Sequence, residues 1–274
     1  MTAQSAEIFC FGDIIMKIAL VGYGKMGHMI EMCAKNMGHE VVATVDVMAK
    51  DATNLVAAGD GKAVADAVKK SGAEGVIEFS HPTAVINNLK ALIPLGIPVV
   101  VGTTGWAKNE GEIADLCAKT GGTCMRSSNF SIGVNMFYKI VEEAARLMSQ
   151  YSDYDVAVWE AHHNQKADSP SGTALEVARR VMLGNPAKTE MVVDAFHERP
   201  KANQLHVSST RVGSVPGTHT VFFDSPADSI ELTHRARSRE GFAKGSVVAL
   251  EKLSSKLSSG QLEHGKLYGM EDLF

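Results

Sequence analysis

The first half of the chain alternates between short apolar runs and segments whose apolar residues recur every three or four positions. The runs at residues 17–21, 40–46, 75–79, 98–101 and 123–126 have the length and the Val/Ile content of buried strands. Between them, Met29, Ile30, Cys33, Ala34 and Met37 mark one helical face, and Val85, Ile86, Leu89 and Leu92 mark another. Residues 63–70 and 110–119 read as further helices. This strand–helix alternation predicts an α/β unit with a doubly wound parallel sheet. Beyond residue 130 the pattern changes to a long amphipathic helix at 133–150, a strand at 155–160 and a helix at 173–183. Segments 204–211, 218–223 and 229–235 then read as strands separated by turns such as Val215-Pro216-Gly217. They predict a second, α+β unit with a mostly antiparallel sheet. A last helix at 242–257 is expected to return to the first unit.

Gly22-Tyr23-Gly24-Lys25-Met26-Gly27 lies between the first strand and the first helix, and the second strand closes on Asp46. Glycines in this spacing permit a tight turn and let a pyrophosphate approach the helix start. An acid at the end of the next strand can accept from ribose hydroxyls. The arrangement predicts a Rossmann-type dinucleotide site. Ligands of such sheets sit at the C-terminal strand ends, where Phe79-Ser80, Gly102-Thr103-Thr104 and Ser128-Asn129-Phe130 fall. His81, before Pro82 at a helix start, reads as local structure.

The densest chemistry lies from Glu160 to Leu175, in the order strand, polar loop, helix start. His162 and His163 are adjacent, Lys166 follows, and Ser171-Gly172-Thr173 opens the helix. Histidine exchanges a proton near neutral pH and lysine can donate one. Small residues at a helix start leave backbone N–H groups open to an anion. Together they point to an anionic substrate that must be protonated, although Ser-Gly-Thr also suits an ordinary helix cap. His197, His206, His219 and His234 are scattered and read as surface or packing residues. Arg211, Arg235, Arg237 and Arg239 single out no individual role.

Composition narrows the class. The chain has 274 residues, 45% hydrophobic and 21% charged, which suits two ordinary domains with real cores. A net charge of −4 carries no basic footprint for nucleic acid. Cys10, Cys33, Cys117 and Cys124 form no C-x-x-C pair and no zinc spacing, so reduced thiols, a cytoplasmic setting and no bound metal are expected. No apolar run reaches the ~18 residues of a membrane helix. Residues 1–15 read as an extension, and a chain starting at Met16 is expected to fold.

The motifs also resemble a known family, 4-hydroxy-tetrahydrodipicolinate reductase (dihydrodipicolinate reductase) of the diaminopimelate route to lysine. The resemblance runs from about Lys17 to the C-terminus. It is carried by Glu160-Ala-His-His through Lys166 to Pro170-Ser-Gly-Thr-Ala-Leu175, by Gly102-Thr-Thr-Gly105, by Asn129-Phe-Ser-Ile-Gly-Val-Asn135, by His234-Arg-Ala-Arg-Ser-Arg239 and by the Leu267-Tyr268 ending. It implies His162 as acid/base, Lys166 as proton donor, and His163, Ser171, Gly172 and Thr173 as contacts to a small dicarboxylate. It implies cofactor contacts from the Gly22–Gly27 loop, Asp46, Phe79, Gly102, Thr103, Thr104, Ser127, Ser128, Asn129 and Phe130. It further implies a homotetramer and a division into residues 16–130 plus 238–274 for the dinucleotide and 131–237 for substrate and tetramerisation. The glycine loop is one residue shorter than in many relatives, and Val47 follows the acid where some relatives carry arginine. NADH or NADPH is therefore expected, with NADH favoured. Two other readings compete: a different two-domain Rossmann dehydrogenase, and a dinucleotide sensor without turnover. Gly102-Thr-Thr-Gly105 argues against the sugar-oxidoreductase form of the first, and His162 with Lys166 argues against the second.

Overall fold

The computed structural model describes residues 15–273. In chain order the elements are β1 (Lys17–Val21), α1 (Lys25–Asn36), β2 (Glu40–Asp46), β3 (Asn54–Leu55), α2 (Gly61–Ser71), β4 (Gly75–Glu78), α3 (Val85–Leu92), β5 (Val99–Val101), α4 (Glu110–Thr120) and β6 (Cys124–Arg126). There follow α5 (Ile132–Met148), β7 (Asp155–His162), α6 (Gly172–Gly184), β8 (Glu190–Val192), β9 (Gln204–Arg211), β10 (Thr218–Asp224), β11 (Ser229–Arg235), α7 (Glu240–Ser258) and β12 (Leu267–Tyr268). One compact unit runs up to Phe130 and resumes at Ala243; the other is Ser131–Phe242. The extension expected at residues 1–15 lies almost wholly outside the described residues.

The first unit is a seven-stranded sheet in the order β12-β6-β5-β4-β1-β2-β3, parallel throughout. Both faces are covered, and β1 shows how its sequence achieves this. Ile18 and Leu20 face one core with Ile30 of α1 and Leu250 and Leu253 of α7. Ala19 and Val21 face the other with Val68 of α2, Leu89 of α3 and Ile113 of α4. A strand buried on both sides needs an unbroken apolar run, which is why the period of two is invisible in Lys17–Val21. Strand order reverses between β1 and β4, the place where ligands of open α/β sheets bind.

The second unit is a five-stranded sheet, β11-β10-β7-β9-β8, with α5 and α6 on its apolar face. The expectation of a mostly antiparallel sheet is corrected. β10 runs antiparallel to β7 and β11, but β7 with β9 and β8 with β9 are parallel. Helix α6 carries the chain back across the sheet after β7, so the following strands set out from the same edge that β7 did. A second correction matters more for chemistry. β7 does not stop at Glu160 but runs on through His162. Side chains two apart on a strand share a face, so Glu160 and His162 both point to the helix-covered side with Val156 and Val158.

Candidate active site

Each unit holds one cluster of the residues singled out by sequence. In the first, the chain leaves β1 through Gly22 at φ +90°, and a Cβ there would stand 2.1 Å from the Phe79 carbonyl oxygen. Only glycine fits such a crossing. A Cβ on Gly102 would meet the Phe79 ring at 2.0 Å, so the ends of β1 and β5 both close onto Phe79. Phe79 in turn faces the Phe130 ring at 6.0 Å. The N-cap of α1 is Gly24, and no side chain caps this helix. Its first-turn N–H groups are thus open to an anion. Beside it lies a cavity of about 550 Å³ lined by residues that include Gly22, Gly24, Asp46, Met48, Phe79 and Ser80. Size, bare backbone and uncapped helix fit a dinucleotide.

Asp46 does more than close the second strand. One carboxylate oxygen accepts from Tyr23 N at 2.7 Å; the other accepts from Met48 N at 2.7 Å and Ala49 N at 2.9 Å. Burial raises this carboxyl, but the backbone donors outweigh it and hold it below the usual range. It anchors the glycine loop to β2. The Tyr23 side chain turns away into the core, stacking on His28 at 4.1 Å and donating to Glu31. Lys25 is exposed, and Gly27 packs where a Cβ would lie 2.4 Å from Gly22 O. Ser127 Oγ donates to Asn129 O at 2.8 Å and accepts from Asn129 N at 3.0 Å, closing a turn that carries Ser128.

Sequence reasoning passed over Glu78, the fully buried last residue of β4. It accepts from Thr103 Oγ1 at 2.6 Å, from Asn88 Nδ2 at 3.1 Å and from the Ser80 hydroxyl. Thr103 Oγ1 accepts from Ser80 N at 2.8 Å. This carboxyl joins the ends of β4 and β5 and so sets the Gly102–Thr104 loop. Burial pushes it up, against hydrogen bonds from Ser80, Thr103 and Asn88.

The second cluster is built on β7. Glu160 is fully buried and pairs with His162 Nδ1 through one oxygen. Its other oxygen accepts from Arg211 at 2.8 Å and from Ser171 N at 3.2 Å. Burial raises the Glu160 carboxyl, but His162 and Arg211 outweigh it and bring it down to about 2. Glu160 is therefore an anion at neutral pH, and it fixes the His162 ring with Nδ1 inward and Nε2 free. Gly217 leaves that nitrogen uncovered, for a Cβ there would stand 2.9 Å from Nε2. Arg211 also donates to the carbonyls of Lys166 and Asp168, tying the loop to the strand. The Lys166 ammonium lies 2.8 Å from Asp168. His163 is half-buried, its carbonyl accepting from Lys166 N at 3.1 Å.

Ser171 is indeed the cap of α6: its hydroxyl accepts from Ala174 N at 3.1 Å. Gly172 and Thr173 follow it in the first turn, and nothing lies within 4 Å of a Cβ placed on Gly172. His219, read from sequence as surface or packing, is buried beside His162, ring centroids 5.2 Å apart. Donor atoms of Glu160, His162 and His219 lie within 4.8 Å of one another. That spacing could hold a metal ion, but the carboxylate is already engaged by Arg211, His162 and Ser171 N. The missed residues had a faint signal. Glu160 continues the buried positions of Val156 and Val158, and His219 those of Val221 and Phe223. A polar residue on an apolar face is the informative kind of burial.

Comparison with known proteins gives the family. Residues 16–130 match the family model of dihydrodipicolinate reductase, N-terminus, and residues 133–274 match that of its C-terminus. The chain belongs to the dihydrodipicolinate reductase family. A relative from Christiangramia forsetii named 4-hydroxy-tetrahydrodipicolinate reductase is 38% identical over 88% of this chain and 93% of its own. One of the same name from Archaeoglobus fulgidus is 37% identical over 85% and 92%. A dipicolinate-bound dihydrodipicolinate reductase from Paenisporosarcina sp. TG-14 shares the fold, with TM-score 0.72 at 19% identity over 95% of this chain and all of its own. Membership makes this reductase a nicotinamide-dependent oxidoreductase of the diaminopimelate route to lysine. The reaction is reduction of 4-hydroxy-tetrahydrodipicolinate to tetrahydrodipicolinate with loss of water.

Proposed function

We propose that this reduction runs on His162 and Lys166, with the dicarboxylate held at the start of α6. The observation that carries this reading is the Glu160–His162 pair at the end of β7. It leaves Nε2 as the one ring nitrogen able to exchange a proton, close to the start of α6, whose Ser171 N also donates to Glu160. His162 acts as acid/base and the Lys166 ammonium donates to the site of reduction. One substrate carboxylate binds the N–H groups of Gly172 and Thr173 and the Thr173 hydroxyl, with His163 as a further contact. Bound nicotinamide nucleotide supplies the hydride. In the first unit, the uncapped α1 start takes its phosphates, Asp46 takes its ribose hydroxyls, and Phe79, the Gly102–Thr104 loop and residues 127–130 border its reactive end. Thr103 and Ser80 are held for this by Glu78. NADH is favoured, because Asp46 would meet a 2′-phosphate as a like charge and Val47 offers no counter-charge. The enzyme works as a cytoplasmic homotetramer.

A coupled assay tests the roles, feeding the condensation product of aspartate semialdehyde and pyruvate and following nicotinamide absorbance. His162→Ala and Lys166→Ala are each expected to lower kcat ~10²–10⁴-fold while cofactor affinity stays near that of the parent. Near-normal turnover in both variants would reject the assignment.

A further inference from the structure

The row of polar side chains across the second sheet contains one residue that the chemistry above does not use. In the register of β10, His219 stands between Glu160 of β7 and His234 of β11. It is buried, its ring 5.2 Å from His162 and 6.4 Å from His234. Its Nε2 lies 3.3 Å from Ser171 Oγ. The same hydroxyl accepts from Ala174 N, so it joins the His219 ring to the first turn of α6. The other ring nitrogen, Nδ1, is buried without a hydrogen-bond partner among the described residues. Burial, and next the charge on His162, push His219 down to about 4; Glu160 acts the other way, and His234 and Lys166 add to the depression. It is therefore neutral at neutral pH.

A buried ring with an unpaired nitrogen is a poor packing residue, since an apolar side chain of similar size would avoid the desolvation cost. Its presence calls for a role that leucine or phenylalanine could not fill. We propose that His219 is a positioning residue for the reductase: by hydrogen bonding to the Ser171 hydroxyl and abutting His162, it locks the start of α6 against the proton-transferring histidine. The helix start that holds the carboxylate and the group that moves the proton would thereby keep a fixed spacing. A 1 Å error in such a spacing costs far more than the hydrogen bond itself. The proposal rests on the reading that Gly172 and Thr173 bind a substrate carboxylate.

The test compares His219→Leu with His219→Gln, whose side-chain amide can still hydrogen bond to Ser171 as donor or acceptor. Thermal unfolding, kcat, KM and binding of pyridine-2,6-dicarboxylate to the NADH-loaded enzyme are measured for each. His219→Leu is expected to unfold at the parental temperature or above it, while KM and the dicarboxylate Kd rise about tenfold and kcat falls less. His219→Gln should recover most of that affinity. The proposal is overturned if His219→Leu binds the dicarboxylate within twofold of the parent. It is equally overturned if weakened binding merely tracks a lower unfolding temperature that glutamine fails to restore. If the parent itself does not bind the dicarboxylate in competition with substrate, the carboxylate reading fails instead. A Ser171→Ala/His219→Leu cycle on unfolding then decides the pairing: coupling supports it and additivity rejects it.

Discussion

Two glutamates end buried strands in this molecule, Glu78 on β4 and Glu160 near the end of β7, and both are fully buried. Burial raises both, yet one ends above its usual range and the other is brought down to about 2. The difference lies in their partners. Glu78 is met by two hydroxyls and an amide, which carry no charge. Glu160 is met by a guanidinium and an imidazole. Neutral donors satisfy a carboxyl without making its charge cheap to bury, whereas a cation does both. The cofactor unit thus uses its acid as a hydrogen-bonding hub. The substrate unit uses its acid as a counter-ion that orients a histidine and gathers a loop.

The sharpest way to break this comparison is to remove the charge and keep the shape. Glu160→Gln leaves the half-buried Arg211 and His162 opposite a neutral amide in place of a fully buried carboxylate, a change expected to destabilise by up to roughly 3–5 kcal/mol. Glu78→Gln keeps a neutral group among neutral donors and should cost less than about 1.5 kcal/mol. Equal losses in chemical denaturation would mean that the two acids do the same job.

Acid titration of stability separates them next. Glu160 is depressed in the folded state, so its contribution is present above the unfolded value of 4.5 and fades as pH falls towards about 2. His219 is depressed from 6.5 to about 4; the unfolded chain binds its proton first, so stability is lost as pH drops through that window as well. Each is worth on the order of 3 kcal/mol. Glu78 is raised, so its contribution is full below 4.5 and declines as pH rises through its folded value. Unfolding midpoints between pH 7 and 3 should therefore fall steeply, and Glu160→Gln should flatten the lower part of that fall. An unchanged slope in this variant would remove Glu160 from the account.

The smallest effect concerns the nucleotide. Asp46 accepts three backbone N–H groups, so its ionised state is built into the loop. NADH should have the higher kcat/KM, by a modest factor, with Lys50→Ala reducing whatever NADPH use remains. A clear NADPH preference that weakens with salt and with Lys50→Ala would show that Lys50 overrides the acid.

Much of this was legible in the chain alone. The alternating apolar runs determined the doubly wound sheet, because a strand buried on two faces and a helix buried on one leave different periods. The Gly22–Gly27 loop and the Ser171-Gly172-Thr173 start were legible for a similar reason: local backbone chemistry restricts residue type. What only the tertiary structure decided were long-range pairings. Arg211 reaches Glu160 from β9, His219 faces it from β10, and Thr103 meets Glu78 from another strand end. Those residues sit at unremarkable sequence positions, and strand register, not local spacing, brings them together. Even Glu160 with His162 turned on how far β7 continued. Two more residues of strand placed both side chains on one face, because hydrogen bonding to β9 and β10 extended the pleat past the point where apolar alternation had ended.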